Sequence, residues 1–157
     1  MSTHTPSQKH ALEFLHTQKI AVLSTVDKHS IPHGAAIYFV VDNDFRFYFL
    51  TTTGTAKYAN IAANPNVSLV VADDYQQTTV QVMGTAEEVP TGDEHDSAFR
   101  MIAQVHPPGQ FAWVPPVSKM HTGEVKLMRI TPSECKLSVF RPEPGEGGIS
   151  IENVPTS

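Results

Sequence analysis

The chain has 157 residues, 40% of them hydrophobic and 17% charged, enough to close one hydrophobic core but not two. Its net charge of -5, from 11 Lys and Arg against 16 Asp and Glu, opposes a polyanion over most of the surface and argues against nucleic acid as a partner. The single cysteine, Cys135, excludes an intrachain disulfide and a thiolate metal cluster, and the longest near-continuous apolar run, Ala35 to Val41, is far short of the roughly 20 residues a membrane-spanning helix needs.

Met1 to Gln8 lack the basic start and apolar run of a secretory signal, so the chain reads as cytoplasmic with no membrane partner. Thr5-Pro6-Ser7-Gln8 combines an N-cap, a proline at the first helical position and a glutamine three residues after the cap. A helix is predicted from there to about Gln18, with Ala11, Leu12, Phe14 and Leu15 on its apolar side. Ile20 to Val26 is a β-branched run closed by Asp27-Lys28-His29-Ser30, and Ile31 to Val41 a second one closed by Asp42-Asn43-Asp44, which predicts two strands joined by a short turn. Phe45 to Thr51 is rich in aromatics that suit a pleated surface, so the first three strands read as a meander.

Ala56 to Ala63 predicts a short helix stopped at Asn64-Pro65, because the residue before proline is pushed out of helical geometry. Val67 to Ala72 and Thr78 to Val89 predict two further strands, the second alternating Val80, Val82, Gly84 and Ala86 against Thr79, Gln81, Met83 and Thr85. Asp93 to Val105 predicts a third helix with its acidic residues in the first turn, where the helix dipole favours them. His106 to Thr122, with four prolines around Phe111 and Trp113, predicts a structured loop. Strands resume at Glu124 to Ile130 and Lys136 to Phe140, and Pro142 to Ser157 reads as a flexible C-terminal tail. The whole predicts a mainly β protein in which residues 1–141 form a single domain and residues 142–157 the tail. Its six or seven strands make a nearly closed antiparallel barrel with short helices at its ends, the alternative being an open α+β sheet.

The chemistry concentrates in Thr51-Thr52-Thr53-Gly54-Thr55-Ala56-Lys57, where a strand ends, a loop follows and a helix starts. Free backbone N–H groups, hydroxyls and a lysine together supply what a phosphate monoester needs. The competing reading is purely structural, with Thr55 capping the helix and the other threonines ending the strand. Lys57 shifts the balance a little toward an anion site, because a cation in the first turn opposes the positive end of the helix dipole and an anion there would remove the conflict. No metal site is expected: His10 and His16, for example, lie on different helix faces. Cys135 reads as a buried structural thiol.

Several motifs in order resemble the FMN-binding split-barrel family, the pyridoxamine 5′-phosphate oxidase-like superfamily. They are Ala21 to Asp27, Ile31-Pro32-His33, Phe47 to Thr51 with Thr55-Ala56-Lys57 and Asn60, Asn64 to Leu69, Val80 to Ala86, and Ile130-Thr131-Pro132. The resemblance spans about residues 10 to 140. It implies that Thr51 and Lys57, with neighbouring Thr52, lie where family members contact the FMN phosphate. Thr55 stands for the serine, and Ala56 for the arginine, of the family's Ser-Arg-Lys motif, which leaves the phosphate site short of one cation. Ala35, Ala36, Ile37 and Tyr38 fall on the strand beside the isoalloxazine ring, and Gln81 on a glutamine that contacts it. Gly34, Ala35 and Ala36 leave room for a flat ring, and Gln81 lies on the polar side of its strand.

The resemblance further implies a homodimer with flavin at the subunit interface, which Trp113 of one subunit could reach. The expected function is an FMN-dependent oxidoreductase acting on a small-molecule redox substrate, with no side chain assigned as acid or base. It is not an authentic pyridoxamine phosphate oxidase, because Ala35 and Val40 stand where the true oxidases carry an arginine and a lysine. The alternatives are a split barrel that binds the deazaflavin F420, one that binds haem through His33 or His121, and a non-enzymatic flavin-binding protein.

Overall fold

The computed structural model describes residues 4–105, 123–143 and 146–156. Helix α1 (Pro6–Thr17) opens on the expected capping box. The Gln8 N–H donates to Thr5 Oγ1 at 3.3 Å and the Thr5 N–H to Gln8 Oε1 at 2.7 Å, so two helix-start donors are satisfied by two side chains. Strands β1 (Ile20–Val26), β2 (Pro32–Tyr38), β3 (Val40–Val41) and β4 (Phe47–Thr52) follow. After them come α2 (Ala56–Ala63), β5 (Asn66–Asp73), β6 (Thr78–Glu88), α3 (Asp93–Val105), β7 (Val125–Glu143) and β8 (Glu146–Asn153). No described helix is long and apolar enough to cross a membrane.

All strands join one antiparallel sheet in the order β2-β1-β5-β6-β7-β4-β3, with β8 also paired to β7. The run expected as one strand, Ile31 to Val41, is divided at Phe39: β2 pairs with β1 and β3 pairs with β4. Its two halves therefore sit at opposite ends of the strand order, and one short connection curls the sheet into a half-barrel. The first strands are accordingly not a simple meander. Phe39 is buried and its N–H donates to Lys19 O at 3.1 Å, so the dividing residue is held by the core and by the chain entering β1.

Two turns use the same aspartate device. Asp27 Oδ1 accepts from the N–H of His29 and Ile31 at 2.8 and 2.9 Å, and Asp42 Oδ1 from Asp44 and Arg46 at 2.9 and 2.8 Å. In both, the residue three after the aspartate has a positive φ, 62° at Ser30 and 60° at Phe45. That conformation is costly for a phenylalanine, and burial of Phe45 in the core offsets it.

The inner face of the sheet packs Leu23, Leu69, Val80, Val82, Phe47, Phe49 and Ile130 with the apolar side of α1 into one cluster. Strand β6 alternates as expected, with Val80, Val82 and Ala86 inside and Gln81 and Met83 outside. The two strands expected after residue 123 are one continuous strand. β7 follows β6 from Met128 to Val139, and pairs on its other side with β4 at first and with β8 later. It bends at a register shift between Met83 and Gly84, where a Cβ on Gly84 would lie 2.3 Å from Thr131 O. Cys135 is buried within β7 and its thiol is pushed up to about 12 by burial, so it carries no thiolate at neutral pH.

The expectation of a loose tail does not hold for residues 146–154. Glu146–Asn153 forms β8 against β7, Val154 is buried, and its N–H donates to Cys135 O at 2.8 Å. Its glycines and glutamates hid an alternation whose partners are supplied by a distant part of the chain.

Helix α3 packs Ala98 and Ile102 on a second, outer cluster with Tyr48, Val89 and Leu127. Its first turn is held by charge: Arg129 Nη1 donates to both Glu94 oxygens at 2.6 and 2.7 Å, and Tyr48 Oη donates to Glu94 Oε1 at 2.9 Å. Arg129 also pairs with Glu87. These partners hold the Glu94 carboxyl below the usual carboxylate range. A depressed carboxylate stabilises the fold above its unfolded pKa of roughly 4.3 and loses that contribution as pH falls through its folded value. Glu94→Gln is expected to lower stability at neutral pH and to flatten the loss below about pH 4. Denaturant unfolding across pH 3–7 checks this, and identical pH profiles for variant and wild type would remove Glu94 from the acid response.

Candidate functional site

The Thr51–Lys57 loop runs from the end of β4 into α2 and is pinned on both sides. The Thr53 N–H donates to Glu124 O at 3.0 Å, and Thr53 Oγ1 accepts from the Glu124 N–H at 3.1 Å. Gly123 is compatible with this approach because it has no Cβ, which would lie 2.2 Å from Thr53 Oγ1, and its φ is +88°. On the far side, Asn60 Nδ2 donates to Thr25 Oγ1 at 3.0 Å, both groups buried, so α2 is fastened to β1.

Inside the loop the hydroxyls divide into two groups. Thr55 Oγ1 accepts from the Tyr58 N–H at 3.3 Å, donates to Thr52 O at 2.9 Å and lies 2.9 Å from Thr51 Oγ1. Thr55 is thus the helix cap, and Thr51 and Thr55 satisfy one another. Thr52 differs: it is fully buried and its Oγ1 has no hydrogen-bond partner among the described residues. The Ala56 and Lys57 N–H groups, at the first two helical positions, have no intrahelical acceptor. Lys57 is half-buried, burial lowers its pKa, and no ion pair joins it among the described residues. A partly desolvated cation and two helix-start N–H groups are a donor set that fits an anion, whereas the Thr52 side chain lies on the face of β4 opposite Thr51 and the cap. Ala56 supplies no charge to it.

The residues expected beside a planar ring lie on the outer face of the sheet. Registers Val22↔Ala36, Val22↔Val70 and Val70↔Gln81 put Ala36, Val22, Val70 and Gln81 in one cross-strand row. Gly34 is open here, since the nearest atom to a Cβ at that position would be Val22 Cγ1 at 3.8 Å. Ile20, Val22 and Met83 are about half-exposed on this face, and a hollow of about 340 Å³ is lined by Ile20, Val22, Val70 and Ala72. Ala35 and Ile37 point the other way, Ile37 into the core, and only their backbone belongs to the outer strand surface. Tyr38 continues the outward row of Ala36. Trp113, with Phe111 and His121, lies outside the described residues.

A second feature at the loop has no signature in the sequence. Lys126, directly across the ladder from Thr51, is 3.0 Å from Glu88 and 3.5 Å from Glu124, and Tyr58 Oη donates to Glu88 Oε2 at 3.1 Å. Only the strand order brings Glu88 and Lys126 together. A separate cleft of about 570 Å³, lined by His4, Asn43, Arg46, Thr131 and Thr156 among others, contains none of the expected site residues.

A curled antiparallel half-barrel with three helices among the described residues, one of which begins at an anion-competent loop, defines a split-barrel protein. The family model described as Pyridoxamine 5′-phosphate oxidase matches residues 7–138. The chain belongs to this family. A pyridoxamine 5′-phosphate oxidase-related, FMN-binding protein of Nostoc punctiforme matches with a TM-score of 0.58 and 17% identity, over 95% of this chain and 93% of that one. General Stress Protein 26 of Bacillus anthracis matches with a TM-score of 0.60 and 21% identity, over 92% and 99%. A haem-binding protein of Mycobacterium smegmatis matches with a TM-score of 0.69 and 13% identity, over 97% of this chain and 60% of its own. At these identities the likeness is one of fold. No curated protein matches the chain.

Proposed function

We propose that the protein binds FMN and serves as a flavin-dependent oxidoreductase on a small-molecule substrate. The observation that carries this is the half-buried Lys57 ammonium, without an ion-pair partner among the described residues, beside the first-turn N–H groups of α2. A phosphate monoester accepts from all of these donors. In this reading Lys57 and the N–H groups of Ala56 and Lys57 hold the phosphate. The outward row of Ala36 and Gln81 bounds the ring, with Gln81 offering an amide to its polar edge. When bound, FMN supplies the redox chemistry.

The half-exposed apolar face is suited to a second copy of the chain. Ile20, Val22, Met83, Ile149 and Ile151 are among the most exposed large hydrophobic residues, and the registers put them on one side of the sheet. Covering such a row removes apolar area from water at about 25 cal/mol per Å². Ala35 and Val40 argue against pyridoxamine 5′-phosphate as substrate, because a second phosphate needs further cations and neither residue supplies one.

The absorbance spectrum of the purified protein tests the ligand. Two flavin bands are expected, whereas a single deazaflavin band or a Soret band would replace FMN with F420 or haem. For haem, His33 is the candidate ligand among the described residues, exposed and with Nε2 3.3 Å from Asp27 Oδ2. Light scattering of the FMN-loaded protein tests the assembly. A mass of two chains is expected, and a monomer would remove the interface site.

A further inference from the structure

The charges around the loop are nearly balanced, although an anion site benefits from an excess of positive charge. Lys126 lies beside Thr51 on the neighbouring strand, and its ammonium is shared between Glu88 at 3.0 Å and Glu124 at 3.5 Å. Both carboxylates belong to the loop's immediate surroundings. The Glu124 backbone is hydrogen-bonded to Thr53 in both directions, and Glu88 accepts from Tyr58 Oη, on the third residue of α2. Lys126 is thus outnumbered by two carboxylates at contact distance, well within a Debye length of about 8–10 Å at ordinary salt. The carboxylates of Glu124 and Glu88 are largely solvated, with side chains 80% and 40% exposed, so they can act on a neighbouring anion without a role in the core.

We propose that the Glu88–Lys126–Glu124 row sets the affinity of the loop for a phosphate monoester: Lys126 is a second cation of the site, and the two carboxylates cancel it. The bound flavin nucleotide is then exchangeable rather than permanently held. This rests on the loop being the phosphate site and adds which residues tune it. Ala56 contributes no charge to the first turn, and Lys126, on the adjoining strand, is the residue placed to contribute one. The arrangement also makes a specific statement about selectivity: riboflavin, which has no phosphate, does not respond to the row.

The test is titration of the wild type, the Glu88→Gln/Glu124→Gln double variant and Lys126→Met with FMN and with riboflavin, at low and at physiological salt. The double variant is expected to bind FMN about fivefold more tightly at low salt, and Lys126→Met more weakly by a similar factor, with riboflavin unchanged in both. Wild-type affinity for FMN is expected to be nearly flat with salt, and that of the double variant to fall as salt rises. Thermal unfolding of each variant establishes that it is folded. Should Lys126→Met not fold, the double variant and the wild-type salt series still decide. If wild type prefers FMN to riboflavin but both variants bind FMN as wild type does, or wild-type binding is steeply salt-dependent, the row does not tune the site. If no form distinguishes FMN from riboflavin, the phosphate reading of the loop fails and this proposal fails with it.

Discussion

Lys57→Ala is expected to weaken FMN binding at least tenfold while leaving riboflavin affinity and the fold unchanged. A charge-assisted contact to phosphate contributes about 1.5–3 kcal/mol, and here the ammonium is already half-buried with its pKa lowered by desolvation. An adjacent anion offsets that desolvation, so the contact should lie toward the upper part of that range. The helix itself should tolerate the change, because alanine is the better helix former and the cap depends on Thr55. Isothermal titration with the two ligands separates the terms. Equal FMN affinity for variant and wild type would mean that the phosphate is held elsewhere.

Gly84→Ala is expected to cost about 2–4 kcal/mol of stability, a loss in thermal midpoint of roughly 4–16 °C for a chain of this size. Backbone φ is not the reason. A Cβ at this position would lie 2.3 Å from Thr131 O and 2.9 Å from Pro132 Cα, and both obstacles are main chain of the neighbouring strand. They cannot rotate away, so the ladder between β6 and β7 must open at the point where the register shifts. The bend at this place lets β7 serve β4 at one end and β8 at the other. A midpoint within about 2 °C of wild type would show that the bulge is plastic and that β7 bends for another reason.

The two variants address features that were legible to different degrees. The loop stands out in the sequence because its signal is local: threonines, a glycine and a misplaced cation within seven residues. The sequence does not show which hydroxyl is spoken for. Thr51 and Thr55 satisfy each other while Thr52 has no partner among the described residues, and that division depends on how β4 meets α2. Gly84 reads as one apolar-side member of an alternating strand, whereas its function as the point of closest backbone approach comes from β7, almost fifty residues later.

Elements whose causes lie within a few residues match their expected bounds. The capping box places α1, Thr55 and Asn64-Pro65 bound α2, aspartate turns close the first two strand runs, and period-two alternation orients β6. Elements that depend on a distant partner do not. Ile31 to Val41 looks like one strand because its composition is uniform, yet hydrogen bonds to β1 and β4 divide it between the two ends of the sheet. β7 crosses Thr131 to Cys135, a stretch with a proline and no clear alternation, because β6 supplies a ladder on one side throughout. β8 has a weak pattern of its own and exists through β7. The same holds for charge: the pairs Arg129–Glu94 and Lys126–Glu88 join residues 35 or more positions apart. Backbone propensity, capping and turns act over a few residues and are written in the local order of side chains. Strand pairing and ion pairing across the sheet are chosen by which segments the closed core brings within reach.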